Sequence, residues 1–210
     1  KDGIAGVSSK VLAGEVVTMS VDWEHIPAKH RSLIKAFFDE ADMSADAIKT
    51  VDFPPACGAD IVVSCEKAKD PKNGSIYLKP TQFVLGIGCR RDTAFENIDR
   101  AIRQSLLKLQ IDISDIDMIA SIDVKKDEPG IKEFCERNRI EFVTYTADEL
   151  MAVQGEFSAS QFVREHVGVD NVCERAAVLV CSRECNKAGE LIYKKHKYDR
   201  VTVAAARYPD

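Results

Sequence analysis

The sequence predicts an α/β protein with a mixed, mostly parallel sheet covered by helices on both faces, preceded by a smaller α/β central region. Three observations predict it. From about Gln82 onward, apolar runs of strand length alternate with amphipathic runs of helix length. Helix-start signals follow two of those strands: Thr93 and Glu96 at capping-box spacing, and Pro129 after Asp127 and Glu128. The chain has 210 residues, 45% hydrophobic and 30% charged, which suits one large domain or two small ones.

The first part, residues 1–81, is the less regular. "VSSKVLAGEVVTMSV" reads as the end of a helix, a turn at Gly14 and a strand. "PAKHRSLIKAFFDEAD" reads as an amphipathic helix with Pro27 at its start and Leu33, Ile34, Phe37 and Phe38 on one face. "ADIVVSC" reads as a buried strand. "KAKDPKNGS" is a loop around Pro71, Asn73 and Gly74, and "SIYLKP" is a short strand leading to Pro80. This is little periodic structure for a large independent core.

The second part, residues 82–210, is expected to form an α/β domain of its own. "FVLGIGC", "DMIASID" and "IEFVTYT" are its first three strands. Between them lie helices over "TAFENIDRAIRQSLLKL", with Phe95, Ile98, Ile102, Leu106 and Leu109 on one stripe, and over "DEPGIKEFCERN". "ADELMAV" follows, then helices over "SASQFVREHVG" and "VDNVCERAAVLVC", separated at Gly168. "ELIYKKHK" and "RVTVAAAR" close the chain as a hairpin around Tyr198-Asp199. A parallel or mixed sheet follows from the alternation.

Bulk properties exclude several function classes. A net charge of −5 argues against a global grip on nucleic acid, so any anion site is local. No apolar run approaches a membrane span. A chain beginning at Lys1 without Met reads as a fragment. The seven cysteines are odd in number and include no C-x-x-C; Cys181-Ser-Arg-Glu-Cys185 comes nearest. They read as reduced thiols in a cytoplasmic protein. The four histidines show no ligand spacing, and no metal site is expected.

Right-handed crossovers bring the ends of successive parallel strands to one edge of a sheet, where open α/β sheets bind ligands. Gly88, Cys89, Arg90 and Arg91 follow the first strand of the second part. Ser121, Asp123, Lys125, Lys126, Asp127 and Glu128 follow the second, and Thr144 and Thr146 the third. Two basic pairs thus fall beside two helix N-termini, which favour anions. The plainer alternative is that Arg90 and Arg91 are solvated or paired to Asp127 and Glu128. Gly86-Ile87-Gly88 begins like a dinucleotide fingerprint, but Arg91 stands at the sixth position where glycine is needed. Cys89, beside two arginines at a strand-to-helix turn, sits where a thiol pKa is lowered, or is a small structural cysteine. Cys135 and Cys173 lie on helical stripes with Phe134, Val172 and Leu179 and read as core. Lys194, Lys195, His196 and Lys197 read as a solvated basic face.

The ordered segments "VLGIGCRR", "IASIDVKKDEPGI", "FVTYTADEL", "FVREHVGVDNVCERAAVL" and "KHKYDRVTVAAAR" resemble the C-terminal domain shared by the CbiG and CobE proteins of cobalamin biosynthesis. The resemblance covers about residues 83–208. It departs at Arg175, where alanine is more usual. The first part resembles the looser central region of CbiG, and the family's N-terminal region has no counterpart here. The resemblance implies cobalt-precorrin-5A hydrolase activity in the anaerobic pathway: opening of a lactone on the cobalt macrocycle and release of acetaldehyde. The cobalt then belongs to the substrate, and no separate cofactor is implied. Gly86, Gly88, Arg90, Arg91, Ser121, Asp123 and Lys125 become candidate substrate-binding residues, the basic ones for the substrate's carboxylates. Asp127 or Glu128 is a candidate base, Arg90 or backbone N–H groups near Cys89 a candidate oxyanion stabiliser, and Cys89 a candidate nucleophile. The competing readings are a corrinoid-binding carrier module without catalysis and, less well matched, a nucleotide-dependent oxidoreductase. Other enzymes of the pathway and a second copy of the chain are the partners left open.

Overall fold

Strands gather into two separate sheets in the computed structural model, which describes residues 2–24, 26, 27, 30, 31, 34, 48–55, 58–64, 75–158, 168–185 and 187–209. The chain divides into two units at Pro80–Thr81. The helix expected over 27–42, the loop over 67–75 and the helix over 158–168 lie largely outside the described residues.

In the first unit, α1 (Asp2–Leu12) ends before Gly14, whose φ of +70° suits a residue without a Cβ. Strands β1 (Val17–Val21), β2 (Ile48–Val51), β3 (Ile61–Val63) and β4 (Ile76–Leu78) form a parallel sheet in the order β2-β1-β3-β4. Strand β2 was not expected: its two central residues are exposed and it lacks the run of apolar side chains that marks a buried strand. The core is small, built on Met19, Val21, Ile26 and Val63. Asp60 ties the unit together by accepting from Lys10 Nζ at 2.6 Å and from the backbone N–H and Oγ1 of Thr18, each at 2.8 Å. Burial alone would raise its carboxyl, but those hydrogen bonds hold it below the usual range.

The second unit carries a five-stranded sheet in the order β7-β6-β5-β9-β8. Strands β5 (Phe83–Cys89), β6 (Ile116–Ile122) and β7 (Glu141–Tyr145) are parallel. Strand β9 (Val201–Arg207) runs antiparallel to both β5 and β8 (Glu190–Lys197). Alternate residues of one strand face opposite layers. Leu85 and Ile87 pack with Ile98 and Ile102 of α2 (Phe95–Leu109) and with Ile131 and Phe134 of α3 (Pro129–Asn138). Val84, Ala120 and Ala206 pack the other way, with Leu150 of α4 (Ala147–Ala152) and Ala176, Ala177 and Val180 of α5 (Val172–Cys185). Small residues on that face let α5 come close. A Cβ on Gly86 would lie 1.7 Å from the carbonyl oxygen of Cys173.

The expected Thr93–Glu96 capping box does not form. Helix α2 starts at Phe95 behind Ala94, which makes no side-chain cap. Thr93 is drawn away instead: its N–H goes to Glu128 Oε1 at 2.9 Å and its Oγ1 donates to the carbonyl of Arg90 at 2.6 Å. A capping box is present at Thr146 and Glu149, opening α4. Pro129 sits in the first turn of α3 as its fixed φ prefers.

Candidate functional site

At the carboxyl edge of β5 and β6 lies a cavity of about 490 Å³. Gly88, Cys89 and Arg90 leave β5 into it, and Ile122, Val124 and Lys125 leave β6. A second wall comes from far along the chain. Asn171, Val172 and Cys173 bring the start of α5, and Lys195, Lys197, Tyr198, Arg200 and Thr202 bring the β8–β9 hairpin. The register explains the meeting: Cys89 pairs with Val201 and Gly88 with Thr202, so the hairpin turn stands beside the end of β5. Arg90 N–H donates to the carbonyl of Arg200 at 3.0 Å and closes that corner.

The cavity is lined by five cationic residues, Arg90, Lys125, Lys195, Lys197 and Arg200, against one carboxylate, Asp199. This positive hollow sits in a chain of net charge −5. The cations differ in state. Lys125 is ion-paired to Glu128 at 2.7 Å, with side chains only 14% and 5% exposed. The other four make no ion pair among the described residues; Lys195 Nζ donates to the carbonyl of Ser158 at 3.0 Å and Arg200 to that of Arg91, also at 3.0 Å. Val124, Val172, Val201 and Tyr198 supply an apolar lining between them.

The residues singled out from the sequence divide accordingly. Gly88, Cys89, Arg90 and Lys125 line the cavity. Gly86 lies behind it, where its missing side chain admits α5. Ser121 is fully buried and its Oγ donates to the carbonyl of Ile87 at 2.6 Å, a tie between β6 and β5. Asp123 accepts from the N–H of Val124 and opens a short 3₁₀ turn, Asp123–Lys125. Asp127 is exposed, 3.9 Å from Lys132. Glu128 is buried and accepts from Lys125 and from the N–H of Thr93, so neither arginine pairs with it. Arg91, Ser121, Asp123, Lys126, Asp127, Glu128, Thr144 and Thr146 are not among the lining residues.

At Cys89 burial opposes the activation its basic neighbours suggested. Burial pushes the thiol up to about 11; Lys125 pulls it back, Glu128 opposes Lys125, and a hydrogen bond with Thr93 helps only in part. Cys173, across the cavity, is pushed to about 12, again by burial first. Cys89, Cys135, Cys173 and Cys185 are free thiols, while Cys57 and Cys65 lie outside the described residues.

Sequence reasoning missed the second wall. Lys195 and Lys197 alternate along β8 in a basic run, which reads as a solvated face, and Cys173 reads as core on its helical stripe. The findable signal was the hairpin: a returning strand laid against β5 puts its turn at the carboxyl edge. Arg175, the departure in the helix motif, also has a structural part. It pairs with Asp170 at 2.8 Å, donates to the carbonyls of Leu150 and Val153, and stacks over Phe157 at 4.5 Å. No helix among the described residues is long and apolar enough to cross a membrane.

The sequence profile of the family described as Cobalamin synthesis G C-terminus matches residues 83–206. The cobalt-precorrin-5A hydrolase of Salmonella typhimurium is 38% identical over 126 residues, 60% of this chain and 34% of that protein. That of Priestia megaterium is 31% identical over 138 residues, 66% of this chain and 35% of that protein. The chain therefore spans about a third of the length of these curated relatives. The crystal structure of CobE, a protein from the cobalamin biosynthetic pathway, superposes with a TM-score of 0.57 at 26% identity, covering 61% of this chain and 91% of that one. A cobalamin biosynthesis protein G homologue from Sulfolobus solfataricus, at 19% identity and a TM-score of 0.50, shares the fold over 99% of this chain and 55% of its own.

Proposed function

The chain belongs to the Cobalamin synthesis G C-terminus family, and from that premise we propose that it acts in cobalamin biosynthesis, with its cavity holding the carboxylates of cobalt-precorrin-5A during lactone hydrolysis. One observation carries the reading: a basic cavity in an acidic chain, where Arg90, Lys195, Lys197 and Arg200 meet no carboxylate in an ion pair among the described residues. A polycarboxylate macrocycle offers both the charge these residues lack and apolar surface for Val124, Val172 and Tyr198. In the hydrolysis, water adds to the lactone carbonyl and the ring C–O bond breaks. A carboxylate and a carbinol result; the carbinol then loses its proton and becomes a carbonyl as its C–C bond to the macrocycle breaks, the electron pair passing to the macrocycle, and the two-carbon fragment leaves as acetaldehyde. Arg90, in the cavity lining, is the group best suited to the charge that develops on the carbonyl oxygen. The cytoplasm is the compartment this pathway role calls for.

A second reading is favoured by a specific observation. The two acid–base candidates do not line the cavity, Glu128 is engaged by Lys125 and Thr93, and burial raises the Cys89 thiol. This chain would then bind the corrinoid while another segment or partner protein supplies the base. Incubating the protein with cobalt-precorrin-5A while measuring acetaldehyde and the corrinoid absorption spectrum separates the two. Acetaldehyde released in stoichiometric amount supports hydrolysis. A spectral shift that saturates without acetaldehyde supports the binding module. No shift and no acetaldehyde would remove both.

A further inference from the structure

Glu174 is a fully buried carboxylate in the first turn of α5, one residue beyond Cys173 of the cavity wall. Burying a charge is costly unless it is well hydrogen-bonded, and this one is. Its Oε1 accepts from Ser158 Oγ at 2.8 Å and from the backbone N–H of Lys195 at 2.6 Å, and its Oε2 accepts from the backbone N–H of Ser158 at 2.8 Å. Three separate segments therefore meet on one side chain: the stretch after α4, the start of α5, and β8.

Two further bonds close the arrangement. Asn171, 1% exposed, caps α5 by accepting from the N–H of Glu174 at 3.0 Å, and its Nδ2 donates to the carbonyl of Ser158 at 2.8 Å. The ammonium of Lys195 donates to that same carbonyl. The carbonyl of Ser158 thus receives two cavity-lining side chains, and Glu174 holds both the Ser158 backbone and the Lys195 backbone.

We propose that Glu174 is a positioning residue for the anion cavity: by fixing Ser158 and the Lys195 backbone it sets where the Lys195 ammonium stands in the wall. The inference rests on the reading that the cavity binds a polycarboxylate corrinoid. It assigns Glu174 no contact with the ligand and no proton transfer. The effect of Glu174 on affinity passes through Lys195 and is independent of Arg90, which stands on the other wall.

The test is a pair of double-mutant cycles on the whole chain, read by absorption titration with cobyrinic acid, a cobalt corrinoid whose carboxylates are free. Lys195→Ala and Glu174→Gln are each expected to weaken binding about tenfold, the loss of one charge-assisted contact. Together they weaken it no more than Lys195→Ala alone, because the contact is removed only once. Glu174→Gln combined with Arg90→Ala should instead give the product of the single effects. If Glu174→Gln does not fold, Ser158→Ala removes one of its donors with less disruption and should lose its own smaller effect in the Lys195→Ala background. Multiplicative losses for Glu174 (or Ser158) with Lys195 would overturn the proposal, as would wild-type affinity in folded Glu174→Gln. Equal affinity of wild type, Arg90→Ala and Lys195→Ala would instead remove the binding site from this cavity, and with it the functional reading itself.

Discussion

The two walls of the cavity hold their cations differently. On the β5–β6 wall, Lys125 is spent on Glu128, three residues further along the same segment, and only Arg90 is left without a carboxylate. On the wall made by α5 and the β8–β9 hairpin, Lys195 and Arg200 meet backbone carbonyls and Lys197 makes no ion pair among the described residues. A segment that brings its own counter-charge builds a stable turn. Segments brought together by topology arrive with charge still to be matched, and that wall is where a ligand has most to gain.

The largest expected effect comes from forcing the walls apart. Gly86→Ala places a methyl 1.7 Å from the Cys173 carbonyl oxygen, a backbone atom that cannot rotate away, and α5 must move. Overpacking usually costs ~1–3 kcal/mol, and this contact should reach or exceed the top of that range. Gly88→Ala meets only the Thr202 hydroxyl at 2.7 Å, which can rotate, so the loss should be about 1 kcal/mol. Urea denaturation of both variants measures the difference. Similar stabilities would mean that α5 does not sit against β5 as described.

The next effect separates the cations. Lys125→Met leaves the buried Glu128 carboxylate with only the Thr93 N–H, and should lower stability by about 2 kcal/mol. Lys125→Met with Glu128→Gln should recover part of this, since the remaining amide oxygen can still accept from Thr93. Arg90→Ala should do the reverse: little change in melting temperature, but a loss of corrinoid affinity of about tenfold or more, for a bond worth ~1.5–3 kcal/mol. Arg90→Lys should restore only part, because the bidentate fork is gone. If Arg90→Ala lowers stability and Lys125→Met lowers affinity, the assignment of the two roles is inverted.

The same contrast shows what could be read from the sequence. The β5 strand was legible to the residue as "FVLGIGC", and so was β8 as "ELIYKKHK", because apolar runs and turn residues bound them. Residues at the carboxyl ends of β5 and β6, Gly88 to Arg90 and Lys125, were legible as site residues because they follow predicted strands. Lys195, Arg200 and Asn171 were not, since their place depends on β9 returning antiparallel between β5 and β8. Small residues at Gly86 and Ala204–Ala206 carried part of that information: they leave room for a helix to lie close, which is what puts the start of α5 on the cavity. The role of Glu128 escaped for another reason, because burial, not spacing, decides whether an acid is a base or a strut. In the first unit β2 escaped because only its terminal residues are partly buried and its centre faces solvent.

The smallest expected effect concerns the two thiols that face each other's walls. Burial raises Cys89 to about 11 and Cys173 to about 12, from an ordinary 9.0. Only the thiolate is a good nucleophile, so both should react slowly with iodoacetamide at about pH 8 in the native protein. Cys89 is partly exposed and Cys173 is 1% exposed, so labelling should appear first at Cys89 as pH approaches 10. The sign for stability follows from the same shifts. Both groups ionise less readily folded than unfolded, so their contribution is intact below about pH 9 and is lost as pH rises through 9 toward 11 and 12, where the unfolded chain releases its protons first. Peptide mapping by mass spectrometry after timed labelling reads each cysteine separately, and urea midpoints across the same pH range read the stability. Fast labelling of Cys89 near neutral pH would mean that Arg90 and Lys125 outweigh burial, and would return Cys89 to the list of candidate nucleophiles.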